Sequence, residues 1–409
     1  MTVVAEQTGR WLDQFTQQPA AEPWLKELRD SAFQRFLELG FPATHEEEWR
    51  FTNVAPIART QFANEHLNWE TARGSLPTTF FNGKYVAAAL PEGVSLGTPE
   101  DLKAHLGKYA SYHNHPFIAL NTAFLRDVAV LRIDRGAVVD EPVRFLYGAA
   151  ETHPPVAAHP RILVLAGAHS QCTLVETYAA QGKYFTNAVT EIVAGEGAVV
   201  DHYRVQSEST EAYHIGILQA MAGRNANFTS HSISLGGLLV RNDANVALSE
   251  GTEATLNGLY IANGQQHVDN HTQIDHAKPH GTSHELYKGI LDGHATAVFN
   301  GRIIVRKDAQ KTDSKQTNKN LLLSDDAVIN TKPELQILAD DVRCTHGATI
   351  GQLDAEALFY LQSRGIGKGE ARDLLTYAFA QDIVDRVKIP ALKDYLEKVL
   401  FEKFHEHVG

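Results

Sequence analysis

Ala166-Gly167-Ala168, Ala194-Gly195-Glu196, Ala222-Gly223-Arg224 and Glu250-Gly251-Thr252 are the stretches on which the fold turns. Their glycines stand three consecutive steps of 28 residues apart. Each is preceded by an apolar strand-like run or a turn and followed by another β-rich run. A fixed period of about 20–50 residues marks stacked units, none of which can bury its apolar face alone. The surrounding texture agrees. Val128-Ala129-Val130-Leu131-Arg132-Ile133, Arg161-Ile162-Leu163-Val164-Leu165 and Val189-Thr190-Glu191-Ile192-Val193 are of strand length and are punctuated by Gly, Asn and Asp. Short strands, glycine turns and little helical periodicity favour a β-helix, that is, a β-solenoid. A β-sandwich is the competing reading. A later turn, Asp292-Gly293-His294-Ala295, looks related but breaks the period.

Outside this middle the pattern turns helical. Pro23 opens a run in which Trp24, Leu25, Leu28, Ala32, Phe36 and Leu37 recur at helical spacing, and Gly40 and Pro42 stop it. A charged segment with two aromatics follows, Glu46-Glu47-Glu48-Trp49-Arg50-Phe51-Thr52. Past Gly351, Asp354 can cap a helix carrying Leu358, Phe359 and Leu361. Gly365, Gly367 and Gly369 break it. A second helix carries Ala371, Leu374, Leu375, Ala378, Phe379, Ile383, Val384 and Val387, and Pro390 opens a third. The expected organisation is an N-terminal mainly helical domain over residues 1–120, a β core over 121–350 and a C-terminal helical domain over 351–409.

Composition bounds the function. The chain has 409 residues, 43% hydrophobic, with 37 Lys and Arg against 49 Asp and Glu, a net charge of −12. Such an acidic chain is a poor binder of nucleic acid or anionic membrane. No apolar run approaches the roughly 18–20 residues of a membrane span. Met1-Thr2-Val3-Val4-Ala5-Glu6-Gln7 has no basic region before an apolar stretch, so no secretory leader is expected. Only two cysteines are present, Cys172 and Cys344. They exclude a disulfide framework, a zinc ribbon and a four-cysteine iron–sulfur cluster held by this chain alone, and the expected compartment is the cytoplasm.

Candidate chemistry is sparse. His267, His271, His276, His280, His284 and His294 crowd a window where even spreading would leave between one and two. Imidazole clusters can hold metal, but no HExxH and no cysteine partner accompanies them, and hydrogen-bonded turns or a subunit interface are the preferred reading. Arg302, Arg306, Lys307, Lys311, Lys315 and Lys319 make a basic stretch with Gln310, Gln316, Asn318 and Asn320 interleaved, read as a solvated β face with amide ladders. Gly365-Ile366-Gly367-Lys368-Gly369 fails as a phosphate loop, because Gly369 follows the lysine and Gln362 stands where the first glycine belongs. It reads as a helix–helix joint. There remains Cys344-Thr345-His346. In an extended segment the two side chains project from one face, about 6–7 Å apart at the backbone, and can lean toward one metal atom. Arg343 would favour the Cys344 thiolate, and Asp340 and Asp341 would oppose it. Two ligands do not complete a tetrahedral site, so a metal here needs ligands from another chain. Cys172 is expected to be a buried small apolar residue.

Several stretches resemble the SufB/SufD family of iron–sulfur cluster assembly proteins. They include Gln266-His267-Val268-Asp269, His276-Ala277-Lys278-Pro279-His280-Gly281-Thr282-Ser283, Phe299-Asn300-Gly301-Arg302, Asn318-Lys319-Asn320-Leu321-Leu322-Leu323-Ser324 and the run from Ala339 to Gly351. The resemblance is dense over residues 260–390 and looser over 120–260. Near the N-terminus it rests on Glu47-Glu48-Trp49-Arg50-Phe51-Thr52. With two cysteines and Cys-Thr-His-Gly-Ala-Thr, the chain looks like the SufD branch. The resemblance implies a right-handed parallel β-helix between helical domains and a heterodimer with SufB through the β-helix. It implies that the ATPase SufC docks on the C-terminal helices, on an element spanning Tyr360 to Ala380 that includes Arg364, Gly365, Arg372 and Leu375. A nascent-cluster site would form at the SufB–SufD interface, with His346 and Cys344 supplied by this chain. ATP-driven closure of SufC would strain the junction and let them engage iron or sulfur. The chain would be a non-catalytic scaffold holding no cofactor stably by itself. The transient cluster and reduced flavin (FADH2) would belong to the complex, with no flavin contact assigned to residues here. Homodimer formation by the isolated chain stays open. So do a purely structural role and an autonomous metal-dependent enzyme built on the histidines from His267 to His294.

Overall fold

The computed structural model describes residues 11–63, 80–81, 84–85, 90–126, 128–148 and 153–405, and the residues 1–7 read for a leader lie outside them. Strands are numbered in chain order. One sheet runs in space through Lys84–Tyr85 (β2), Phe80–Phe81 (β1), Val143–Tyr147 (β5), Gln171–Tyr178 (β8), Val199–Gln206 (β10), Asn227–Ser234 (β12), Glu253–Ala262 (β14), Thr282–Leu291 (β16), Asp313–Leu322 (β18) and Arg343–Gly351 (β20). The other runs through Val94–Leu96 (β3), Val128–Ile133 (β4), Arg161–Ala166 (β7), Phe185–Ala194 (β9), Tyr213–Ala222 (β11), Leu239–Leu248 (β13), His267–His276 (β15), Thr296–Val305 (β17) and Val328–Ile337 (β19), with Ala157–Ala158 (β6) also on β9. From β7 onward the chain alternates between the sheets, and each strand pairs in parallel with the strand one coil away. This is a parallel β-solenoid of about seven turns, and the parallel neighbours exclude the sandwich.

The turn chemistry explains the repeat and corrects part of its reading. Gly167, Gly195 and Gly223 directly follow β7, β9 and β11, and their N–H groups donate to Ile133, Ala166 and Ala194 one coil back, at 2.9, 2.8 and 2.9 Å. The next member of that column is Ser249, which donates to Ala222 at 3.0 Å, not Gly251. Gly251 belongs to a second column, where the backbone is left-handed: His169 (φ 61°), Gly197 (63°), Asn225 (55°), Gly251 (65°), His280 (62°) and Lys311 (64°). The fourth glycine of the series thus falls one column over. Gly293 lies in the opposite set of turns, after β16, as Gly264 does after β14.

Period-two burial sorts each strand. Inward residues of the early coils are mostly apolar, such as Val164, Leu174, Ile192, Val200 and Phe228. Cys172 is among them, and burial, with Asp201 beside it, pushes its thiol up to about 12. The outer faces are covered by helices. Pro23–Leu39 (α1) starts on a first-turn proline and ends at Gly40 (φ 68°), whose N–H returns to the Phe36 carbonyl. It buries Ala32, Phe33 and Phe36; Leu25, Leu28 and Leu37 are only half-buried, and Phe33, stacked on Phe15 at 4.1 Å, is the ring the helical spacing omitted. Ala55–Arg59 (α2), Pro99–His105 (α3) and Pro116–Ala123 (α4) follow. Phe36, Trp49 and Phe117 pack with Phe185, Ile215 and Ile217 on one outer face. Ala355–Ser363 (α5), Lys368–Val384 (α6) and Pro390–His405 (α7) end the chain, and Ile383, Val384, Leu396 and Leu400 pack with Tyr203, Ile233 and Leu259 on the other. The helices cover flanks. The β19–β20 end of the solenoid is left open.

Candidate functional site

The open end is built from β20, which pairs with β18, and β19, which pairs with β17; neither has a second ladder partner among the described residues. Register places Cys344 beside Ser314 and His346 beside Gln316. Ser314 and Gln316 are buried and point into the solenoid, so Cys344 and His346 occupy the lumen-facing positions of the last coil. The expectation that they share one face therefore holds, and that face is the mouth of the lumen. His346 is exposed. Cys344 is half-buried against Leu335, Val342 and the buried Ile303, Val305, Ala309 and Ala339. Burial raises the Cys344 thiol above its usual range; Asp313 adds to this and the Ser314 backbone N–H opposes it. The opposing carboxylate is thus Asp313 rather than Asp340 or Asp341. Behind Cys344 runs a chain of hydrogen bonds, Ser314 Oγ to Ser283 Oγ at 2.7 Å and Ser283 Oγ to His276 Nε2 at 2.9 Å. Exposed Val328, Ile337, Leu338 and Ile350 ring the same end. Cys344 and His346 place one soft and one borderline donor type at this mouth.

The six histidines do not form a site. His267 and His271 lie on the outer face of β15, His276 is in the lumen, His280 holds a left-handed turn, His284 faces out from β16 and His294 sits in an exposed turn. Strand alternation sends them to different faces, and among the described residues no three His, Cys, Asp or Glu side chains gather as a metal group. The six histidines therefore do not share the one ligand set that the histidine-based reading needs. The basic stretch also divides. Lys315 and Lys319 point outward as expected, but Gln316, Asn318 and Asn320 are buried in the lumen. Arg302, Arg306 and Lys311 are committed to Glu48 and Glu334, Asp275, and Asp341.

A charged junction that the sequence reading left unassigned fixes the N-terminal segment beside this end. Thr52 Oγ1 donates to Asp269 Oδ2 at 2.6 Å, and Arg241 Nη1 donates to the Glu48 carbonyl at 2.6 Å while its guanidinium lies 3.7 Å from the Trp49 ring. His271 bonds Asp269 at 3.0 Å and Glu48 at 3.4 Å, and Lys332 reaches Glu47 at 2.7 Å. The signal was the pair Glu47-Glu48, whose partners lie some two hundred or more residues away and could not be paired without the register.

Of the residues expected to dock a partner, Tyr360 and Arg364 are exposed at the end of α5, with the guanidinium 5.1 Å from the ring. Gly365 makes the joint to α6 with φ 90°. Arg372 donates to the Leu323 carbonyl of the solenoid at 2.6 Å. Leu375 is half-buried, and Leu374 is the more exposed neighbour. Among the described residues no helix is long and apolar enough to cross a membrane.

Fold and geometry give a stacked-strand body with helical flanks and a cysteine and a histidine side by side at its open end. Comparison with known proteins gives the class. The family profile described as "SUF system FeS cluster assembly, SufBD core domain" matches residues 147–379, and the chain belongs to that family. A SufBD family iron–sulfur cluster assembly protein of Synechocystis sp. is 34% identical, covering 90% of this chain and 89% of that protein. The iron–sulfur cluster assembly proteins SufD of Escherichia coli (29%, 88% of each chain) and of Bacillus subtilis (25%, 96% and 97%) also match. Within the family the chain is most like SufD.

Proposed function

We propose that the chain is a non-catalytic scaffold subunit that pairs with SufB end to end through the β19–β20 edges, docks the ATPase SufC on its C-terminal helices, and contributes Cys344 and His346 to a nascent-cluster site at the SufB junction. The observation that carries this reading is the position of those two side chains. They lie on lumen-facing positions of β20, the last strand, whose outer edge has no ladder partner among the described residues. Unpaired strand edges are templates for another sheet edge, and the apolar side chains around them favour burial. A half-sphere of ligands suits a transfer site, because a complete chelate would retain the cluster. α5 has no buried residue and displays Phe359 and Tyr360, which suits a docking helix. ATP hydrolysis and reduced flavin act at the level of the complex, with no flavin contact assigned to this chain.

The test is His346→Ala, and separately Cys344→Ala, in the co-purified complex with SufB and SufC. Cluster yield on reconstitution, read by its visible absorbance, should fall severalfold for His346→Ala with subunit stoichiometry unchanged. Wild-type yield from both variants would leave only the structural role.

A further inference from the structure

Between the N-terminal segment and the outer face of β11, β13, β15 and β17 lies a groove of about 810 Å³. Register sets Gln219 beside Asn245, Asn245 beside Gln273 and Gln273 beside Arg302, so three amides stand in one row across adjacent strands that form its floor. Asn300, beside His271 in the next row, faces the same groove and is 8% exposed. None of these four amide side chains hydrogen-bonds another described residue. One wall is Glu46 to Trp49, and the other is the start of α4 at His115 and Pro116.

Each Asn or Gln amide presents two N–H donors and a carbonyl acceptor. Buried polar groups are paired in the great majority of cases, so the unpartnered Asn300 points to a polar occupant. A small-molecule pocket is mostly apolar with a few placed polar groups. This floor instead repeats one group at every rung, about 4.8 Å apart. Donors and acceptors repeated along a line match a polypeptide main chain, which carries one N–H and one C=O per residue. Solenoids use such extended faces for binding. From Gln219 to Arg302 is three rungs, roughly 14 Å, the length of about four extended residues. Trp49 gives no face for stacking a base or a sugar, because the Arg241 guanidinium lies 3.7 Å from its ring. Charge narrows the class further. Glu46, Glu47, Glu48 and Asp243 line the groove against Arg241, Arg302 and His271, in a chain of net charge −12. Those three cations are all bound to carboxylates, whereas the exposed Glu46 has no cationic partner among the described residues. A basic segment is therefore drawn in and an acidic one repelled.

We propose that this groove binds an extended, basic polypeptide segment of a partner protein, with Gln219, Asn245, Gln273 and Asn300 holding its main chain and Glu46 attracting its cationic side chains. The groove is on the outer face of one sheet, and Cys344 and His346 are on the inner face of the other, so the two sites are separate.

A dye-labelled nine-residue peptide of alternating Lys and Thr is the probe, titrated with the full-length chain and read by fluorescence anisotropy. Main chain and charge are recognised rather than sequence, so it should bind at least tenfold more tightly than the same peptide with Glu for Lys. A version with esters in place of its inner amides keeps the charge and loses the main-chain donors, and should bind at least tenfold more weakly. Asn245→Ala combined with Gln273→Ala should weaken binding at least fivefold at an unchanged thermal midpoint, since neither side chain bonds anything in the fold. His346→Ala should leave it within twofold. No binding of the Lys–Thr peptide overturns the groove. So does binding that the ester backbone or the paired alanines leave unchanged, which is attraction to the acidic surface alone or to another face of the chain. Either result leaves the His346 cluster experiment standing, and normal cluster yield from His346→Ala leaves this binding untouched.

Discussion

His271 links the N-terminal segment to the solenoid through a proton. Burial disfavours its charged form, and Arg241 adds to that, but Asp269 and Glu48 outweigh both and raise it from 6.5 to about 9. Glu48 in turn is held down to about 2, chiefly by its bond to His271. A folded-state pKa above the unfolded value means the stabilisation is fully present below pH 6.5 and is lost as pH rises through about 9. Urea unfolding of the wild type should therefore weaken between pH 6.5 and 9.5 by at most about 3 kcal/mol relative to His271→Asn, which lacks the group. Parallel pH profiles for the two chains would contradict this. His271 was visible in the sequence only as one of six crowded histidines, because its carboxylate partners lie on another segment and on the same strand face. Cys344 and His346 were easier, since two residues apart on a strand always share a face. The amide row was not singled out at all. Gln219, Asn245 and Gln273 stand on three separate strands, and only the register brings them side by side.

Among the elements, α5 is the least attached. None of its residues is buried, Phe359 is 72% exposed and Tyr360 56%. Its N-terminus is secured locally, by Asp354 Oδ1 accepting from Glu356 and Ala357 at 2.8 and 3.1 Å. A helix this short is marginal by itself, so its apolar display is better explained by a partner than by this chain's stability. Replacing Phe359 and Tyr360 together with Asp should abolish co-elution with SufC while shifting the chain's thermal midpoint by less than about 2 °C, since surface changes are worth about 0.5 kcal/mol or less. Retained co-elution would move the docking surface elsewhere. The helices themselves were legible, because Pro23, Asp354 and Pro390 mark their starts and glycines mark the ends of α1 and α5. The solenoid was legible through turns rather than strands. Three of the four periodic glycines share a column, and the fourth matched the spacing because the coil from β11 to β13 spans 26 residues instead of 28. A left-handed turn position admits His, Asn and Lys at a cost of roughly 1–2 kcal/mol over Gly, so a column of such turns leaves only a broken glycine signature.

For the whole molecule, the asymmetry of coverage matters more than any single contact. Both sheets have helices packed on their outer faces, yet among the described residues β19 and β20 end the stack with their outer ladders unfilled. Proteins ordinarily blunt such edges with a covering element, charges or proline. Here Pro333 sits in β19, while β20 offers about 30 Å of strand with Ile350 exposed. Arg343 N–H donates to Thr312 on the β18 side, so by strand alternation the N–H groups of residues 344, 346, 348 and 350 point away from the stack. Without its proposed partner, the chain should therefore pair with itself across this end. Ala348→Pro removes one outward donor and leaves the ladder to β18 intact, which an edge strand tolerates. Sedimentation velocity should find a concentration-dependent dimer for the isolated wild type, and a dissociation constant at least tenfold higher for Ala348→Pro at an unchanged thermal midpoint. A wild type that stays monomeric at every concentration, or a dimer indifferent to the proline, would mean that the open edge is not the surface through which this scaffold assembles.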